Sequence, residues 1–272
     1  MEAWSELLPL AAALLGAGLI AGVIAGVFGV GGGAVLVPVF YQLFAYLGVD
    51  ESVRMHLCVG TSLGIIVPTS IRSFRGHLAR GAVDMDMLRS IALPVLAGVG
   101  LGSVLAAFVP AGGLKGVFAL VALLIGLKML LGRAEWRLGD DLPRQPVLGL
   151  IGVAIGTLST LMGIGGGVFG NSLMTLYNRP IHQAVATSSG LGVLISIPGV
   201  LGFIAAGWGA DGLPPLSLGY VSLIGVALVI PTSVLAAPIG VRIAHAISRR
   251  RLEIAFALFL FVVSARFFIA ML

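Results

Sequence analysis

The chain has 272 residues, of which 58% are apolar and 10% charged, with 16 Lys and Arg against 11 Asp and Glu. Its mean hydropathy is +1.12. A soluble domain carries roughly 25% charged residues, and even large globular folds leave much of their surface in water, so a soluble enzyme, a nucleic-acid binder and a secreted disulfide scaffold are excluded and a polytopic membrane protein in a lipid bilayer is expected. The pI of about 10.0 does not point to nucleic acid, because the basic residues sit between apolar stretches, the pattern that sets membrane orientation. Cys58 is the only cysteine, which forbids an internal disulfide and leaves no Cys-based metal site. The 40 glycines are about twice the usual share; glycine permits close helix approach in membranes and also permits broken helices.

In chain order, Met1 to Glu6 holds two glutamates and no basic residue, so no signal-peptide n-region is present and the first apolar segment is expected to stay in the mature protein. Apolar runs then follow at 7–28, 34–47, 53–75, 87–109 and 114–131. A polar stretch, 132–145, leads to a second group at 146–162, 168–177, 181–206, 216–246 and 252–272. The sequence predicts an all-α polytopic membrane protein. It divides into a first repeat over 1–131, a cytoplasmic linker over 132–145 and a second, inverted repeat over 146–272, which together form one transport domain.

Two motifs recur in order. Gly29-Val-Gly-Gly-Gly33 matches Gly163-Ile-Gly-Gly-Gly167 at an offset of 134, and the segment from His56 to Gly64 matches that from His182 to Gly190 at an offset of 126. Five segments per repeat is an odd number, so the two copies must enter the membrane from opposite sides. The charges agree. With both termini periplasmic, all 16 basic residues except Arg54, Lys115 and Arg266 fall on the cytoplasmic side, as the positive-inside rule requires.

Each motif has two readings. The glycine clusters are either close-packing surfaces or helix breaks, since adjacent glycines disfavour helix by roughly 1 kcal/mol each. A hairpin turning at Gly31, Gly32 and Gly33, or at Gly165, Gly166 and Gly167, would aim free N–H groups and partial positive charge at an anion. Thr61 and Ser62, with Thr187 and Ser188, either bond to neighbouring helices or donate to the same anion. Cys58 pairs with Ala184 and Asn171 with Val37 across the repeat, so both are candidates for breaking the site's symmetry. His56 and His182 are hydrogen-bonded anchors or proton-coupling groups. No apolar segment carries Asp or Glu away from its ends, which disfavours cation relays and metal transport. No nucleotide motif, metal site, cofactor or catalytic cluster is expected, and the partner is a small anion. The oligomeric state, including a homo-oligomer, is left open.

The paired Gly-x-Gly-Gly-Gly breaks, the short helix after each (with Pro38 in the first copy) and the repeated Val-[Gly/Ala]-Thr-Ser resemble the sulfite exporter TauE/SafE family over essentially the whole chain. That resemblance implies a bacterial inner-membrane permease for sulfite, other sulfur oxyanions or organosulfonates, most often an exporter. The second copy has Ser172 where the first has Pro38, which makes the hairpins unequal. A passive anion channel and a non-transporting membrane scaffold are the alternative functions.

Overall fold

The computed structural model describes residues 12, 14–23, 33–131 and 137–271. Among these, the chain forms ten helices: α1 (Leu14–Val23), α2 (Gly33–Tyr46), α3 (Glu51–Leu78), α4 (Met85–Phe108), α5 (Ala111–Leu131), α6 (Val147–Met162), α7 (Gly167–Leu176), α8 (Ile181–Ala206), α9 (Leu223–Ala246) and α10 (Arg249–Ile269). The all-α membrane fold expected from the sequence is therefore present. Six helices, α3, α4, α5, α8, α9 and α10, are long and apolar enough to cross a bilayer. At 1.5 Å per residue, the ten residues of α7 rise about 15 Å, half of a hydrocarbon core of about 30 Å.

Local chemistry sets the boundaries. Asp50 starts α3 by accepting the Ser52 amide at 2.7 Å, and Asp84 starts α4 by accepting the Met87 amide at 2.9 Å, each satisfying an amide that a helix start leaves free. One apolar run is not helix throughout. Residues 216–246 open with a two-stranded ribbon, β1 (Ser217–Leu218) and β2 (Val221–Ser222), before α9 begins. The preceding Pro214 and Pro215 lack amide donors, and Gly219 turns with φ +53° while packed on the Ile204 carbonyl of α8.

Helix pairs α4–α6, α3–α8, α5–α10, α4–α8, α7–α8 and α2–α3 make the main packing contacts. The α4–α6 crossing is tight. A Cβ on Gly98 would lie 2.2 Å from the Val153 carbonyl oxygen, and one on Gly156 would lie 2.2 Å from that of Val95. The backbones touch there because neither residue has a side chain. Outward, the helices show large apolar groups such as Leu93, Leu124, Leu201, Leu235 and Val262, a surface suited to lipid rather than water.

Hydrogen bonds sort the helix ends. Asp84 meets Thr187, Gln145 meets Ser90, and Arg250 donates to the last carbonyls of α5 at Met129 and Leu130. These contacts gather the C-termini of α3 and α5 with the N-termini of α4, α6, α8 and α10. Arg72, Arg75, Arg80, Arg89, Arg144 and Arg250 share that end. At the opposite end the buried Lys115 ammonium bonds Glu51 and faces the Tyr41 ring at 5.8 Å.

Candidate functional site

The break between α6 and α7 is built by glycine. Gly163 ends α6 in the left-handed region at φ +66°, and the amides of Gly163 and Ile164 return to the carbonyls of Thr160 and Ser159, the double bond that closes a helix on a glycine. Gly166 is left-handed again at φ +73° and starts α7, and no side chain caps that start. Its first amides therefore have neither an intrahelical acceptor nor a cap, and they carry the positive end of the helix dipole.

A cavity of about 100 Å³ opens beside this start. Gly165, Gly167 and Asn171 line it from the break and α7, and Val185, Ser188, Ser189 and Gly192 from α8. Ile66, Thr69, Ser70 and Ser73 line it from α3. These stretches of α3 and α8 lie toward the arginine-rich end. Ser188 is 2% exposed, yet its hydroxyl has no hydrogen-bond partner, and the Asn171 Oδ1 is also buried without one. Gly170 makes room for Ser188, since a Cβ there would stand 2.4 Å from Oγ. Unpaired buried polar groups cost stability, so two of them in one cavity, beside an uncapped helix start, make this cavity the candidate ligand site.

The hydroxyls of Thr69, Ser70 and Ser189 are committed. Thr69 donates to the Ile65 and Ile66 carbonyls, Ser70 to Val67 and Ser189 to Ala186, so they turn oxygen lone pairs toward the cavity. Sequence reasoning missed Thr69, Ser70 and Ser73. The signal was available in three hydroxyls within five residues of an apolar span.

The other candidates lie elsewhere. Gly31 and Gly32 lie outside the described residues. Gly33 packs on the second cluster, where a Cβ would sit 2.5 Å from the Gly163 carbonyl oxygen. Ser62 donates to that same oxygen at 2.8 Å. Thr61 and Thr187 are fully buried and not among the lining residues. Thr61 Oγ1 accepts the Ser222 amide just before α9, and Thr187 Oγ1 accepts the Asp84 amide just before α4, both at 2.9 Å. Ser222 and Asp84 in turn accept amides from the first turns of those helices. Cys58 is buried in the core. The Nε2 of His56 donates to the carbonyls of Ala106 and Val109 at the end of α4, and its ring stacks on Tyr220 at 4.7 Å. His182 is exposed near the start of α8.

The paired threonines thus hold helix starts of the opposite half. Thr61→Val or Thr187→Val would leave a buried amide unpaired, at a cost of about 1–3 kcal/mol. We expect a lower melting temperature in detergent for each, with the serine variants close to the parent. A valine variant that melts like the parent would remove the threonine from this role.

The family description "Sulfite exporter TauE/SafE" matches residues 14–267 of this chain. A "Probable membrane transporter protein" of Haemophilus influenzae is 32% identical over 93% of this chain and 96% of its own length. One of Methanocaldococcus jannaschii is 29% identical over 91% and 90%, and one of Bacillus subtilis is 29% identical over 70% and 77%. No solved structure matches. With the match spanning nearly all of the helical bundle, the chain belongs to the sulfite exporter TauE/SafE family of membrane transporters.

Proposed function

We propose that the protein is a secondary transporter that moves a small anion, namely sulfite, another sulfur oxyanion or an organosulfonate, outward across the bacterial inner membrane. The observation that carries this reading is the cavity at the start of α7, where an uncapped helix N-terminus and the unpaired Ser188 hydroxyl converge. Helix dipoles and hydroxyl donors stabilise anions, most of all where water is scarce. Gly165, Gly166, Gly167, Asn171 and Ser188 are the residues of the second half that serve this site. Gly33 and Ser62 brace it through Gly163.

The reading also takes 1–131 and 146–272 as inverted repeats. Their support is the exchange of equivalent contacts, in which α2–α3 matches α7–α8 and the Thr61–Ser222 bond matches Thr187–Asp84. Rocking one half against the other would open the site to each side in turn. The arginine-rich end faces the cytoplasm on the positive-inside rule, which puts both termini in the periplasm.

Sulfite flux through the purified protein in liposomes tests the proposal. Flux should saturate and show counterflow, which a channel does not. Ser188→Ala should fold as well as the parent, because it removes an unpaired buried hydroxyl. It should weaken sulfite about ten- to a hundredfold, the value of a hydrogen bond to a charged group. Unchanged affinity in a folded Ser188→Ala protein would refute the site. Absence of sulfite flux would refute sulfite as the substrate. In intact cells a cysteine at Leu138, in a Cys58→Ser background, should resist impermeant thiol reagents, and rapid labelling would reverse the orientation.

A further inference from the structure

The cavity offers an anion an unequal environment. No lining residue ionises: the walls are glycine, Ile66, Val185, Asn171 and hydroxyl side chains. The attraction available is that of partial charges, chiefly the α7 amides and the buried Ser188 hydroxyl on the wall made by α7 and α8, whereas the buried unpaired atom of Asn171 is its acceptor Oδ1. The desolvation cost of an ion grows with the square of its charge, so a dianion costs about four times as much to bury as a monoanion of equal size. Dipoles that meet the first charge do not double to meet the second.

The opposite wall has the other polarity. Thr69 and Ser70 on α3 already donate their protons to the carbonyls of their own helix. They present acceptor oxygens to the cavity, and two more stand across from them, Ser189 on α8, which donates to Ala186, and the Asn171 Oδ1 on α7. A ligand seated there is best served by accepting from the α7 amides and Ser188 and by donating to these oxygens. A bare anion that only accepts leaves those oxygens unpaired.

We infer that the site selects a small oxyanion of single charge that also carries a hydrogen-bond donor, such as a singly protonated oxyanion, and rejects a dianion of like size. The inference rests on the anion-site reading above, and it sharpens that reading from anion to charge state. The helix start is not its only support. The Ser188 hydroxyl is unpaired, 2% exposed and lines the same cavity.

Three ions of one shape separate these properties. Sulfamate is a monoanion with N–H donors, methanesulfonate a monoanion without a donor, and sulfate a dianion. Each would be measured at neutral pH as an inhibitor of sulfite flux in liposomes and by calorimetry in detergent. Sulfamate should bind most tightly. Methanesulfonate should follow by roughly three- to tenfold, the worth of one neutral hydrogen bond. Sulfate should be weaker than sulfamate by about a hundredfold or more. Ser73→Lys places a cation at an exposed lining position of α3, where lysine is a good helix former. It should raise sulfate affinity at least about tenfold while changing sulfamate less.

Sulfate binding as tightly as sulfamate overturns the charge selection, yet leaves the anion site standing if sulfite flux still depends on Ser188. Methanesulfonate equal to sulfamate overturns the role of the α3 wall. If sulfite itself neither binds nor moves, the anion site falls and the inference with it. The wild-type series decides the question even if Ser73→Lys fails to fold.

Discussion

Gly166→Val is expected to remove most transport while leaving much of the protein folded. Gly166 sits at φ +73° as the residue that starts α7, a region that a β-branched residue enters only under strain. The intrinsic cost is about 1–2 kcal/mol. The added side chain meets first the Ile195 Cδ1, where a Cβ would lie 2.6 Å away. That atom is the end of a flexible chain and can move. The strain is relieved most readily by turning the start of α7, and that motion displaces the amides facing the cavity. Each lost contact to a charged ligand weakens it by about 1.5–3 kcal/mol, so flux per folded molecule should fall at least about tenfold. Gly166→Ala, strained in the same way but unbranched, should lie between. The measurement is sulfite flux divided by the amount of protein that elutes as a folded species. Parent-like flux in folded Gly166→Val would place the anion away from α7.

The glycine break between α6 and α7 was legible because its cause is local. Three adjacent glycines after a long apolar run cannot continue a helix cheaply, and Gly163 and Gly166 both take the left-handed conformation that only glycine enters freely. The recurrence of Thr-Ser was legible too, but not the division of labour within it. Ser62 finds its acceptor 101 residues away at Gly163, whereas the matching Ser188 finds none. Thr61 and Thr187 find amides 161 and 103 residues away. Such partners depend on how α3 and α8 cross the other half, and no local pattern encodes that. The same holds for Lys115, which is buried against Glu51. As a charged residue near the start of an apolar run, it reads in sequence as a helix-end group facing water. The hydroxyl wall of α3 went unnoticed for a different reason. Thr69, Ser70 and Ser73 lie beside a cluster of arginines, and polar residues near a span's end need no ligand to explain them.

Gly98→Val should give the opposite result from Gly166→Val. Its Cβ would lie 2.2 Å from the Val153 carbonyl oxygen and 2.9 Å from the carbonyl carbon. Both atoms are backbone, so no rotamer change can clear them. α4 and α6 would have to separate along the crossing where Gly156 meets Val95 and where Thr157 Oγ1 donates to the Gly98 carbonyl at 3.0 Å. Overpacking of this kind costs about 3 kcal/mol or more, and folded yield should collapse. The cavity is lined by α3, α7, α8 and the glycine break, with no residue from α4, so the molecules that do fold should transport at a parent-like rate. Gly225 offers a graded control. A Cβ there meets the Thr61 Cγ2 at 3.0 Å, a side-chain atom, and Gly225→Val should lower yield less than Gly98→Val does. The two glycine classes are told apart by flux per folded molecule: low for Gly166→Val, preserved for Gly98→Val. If both ratios fall together, the α6–α7 break and the α4–α6 crossing belong to one packing unit, and the break has no separate role at the anion site.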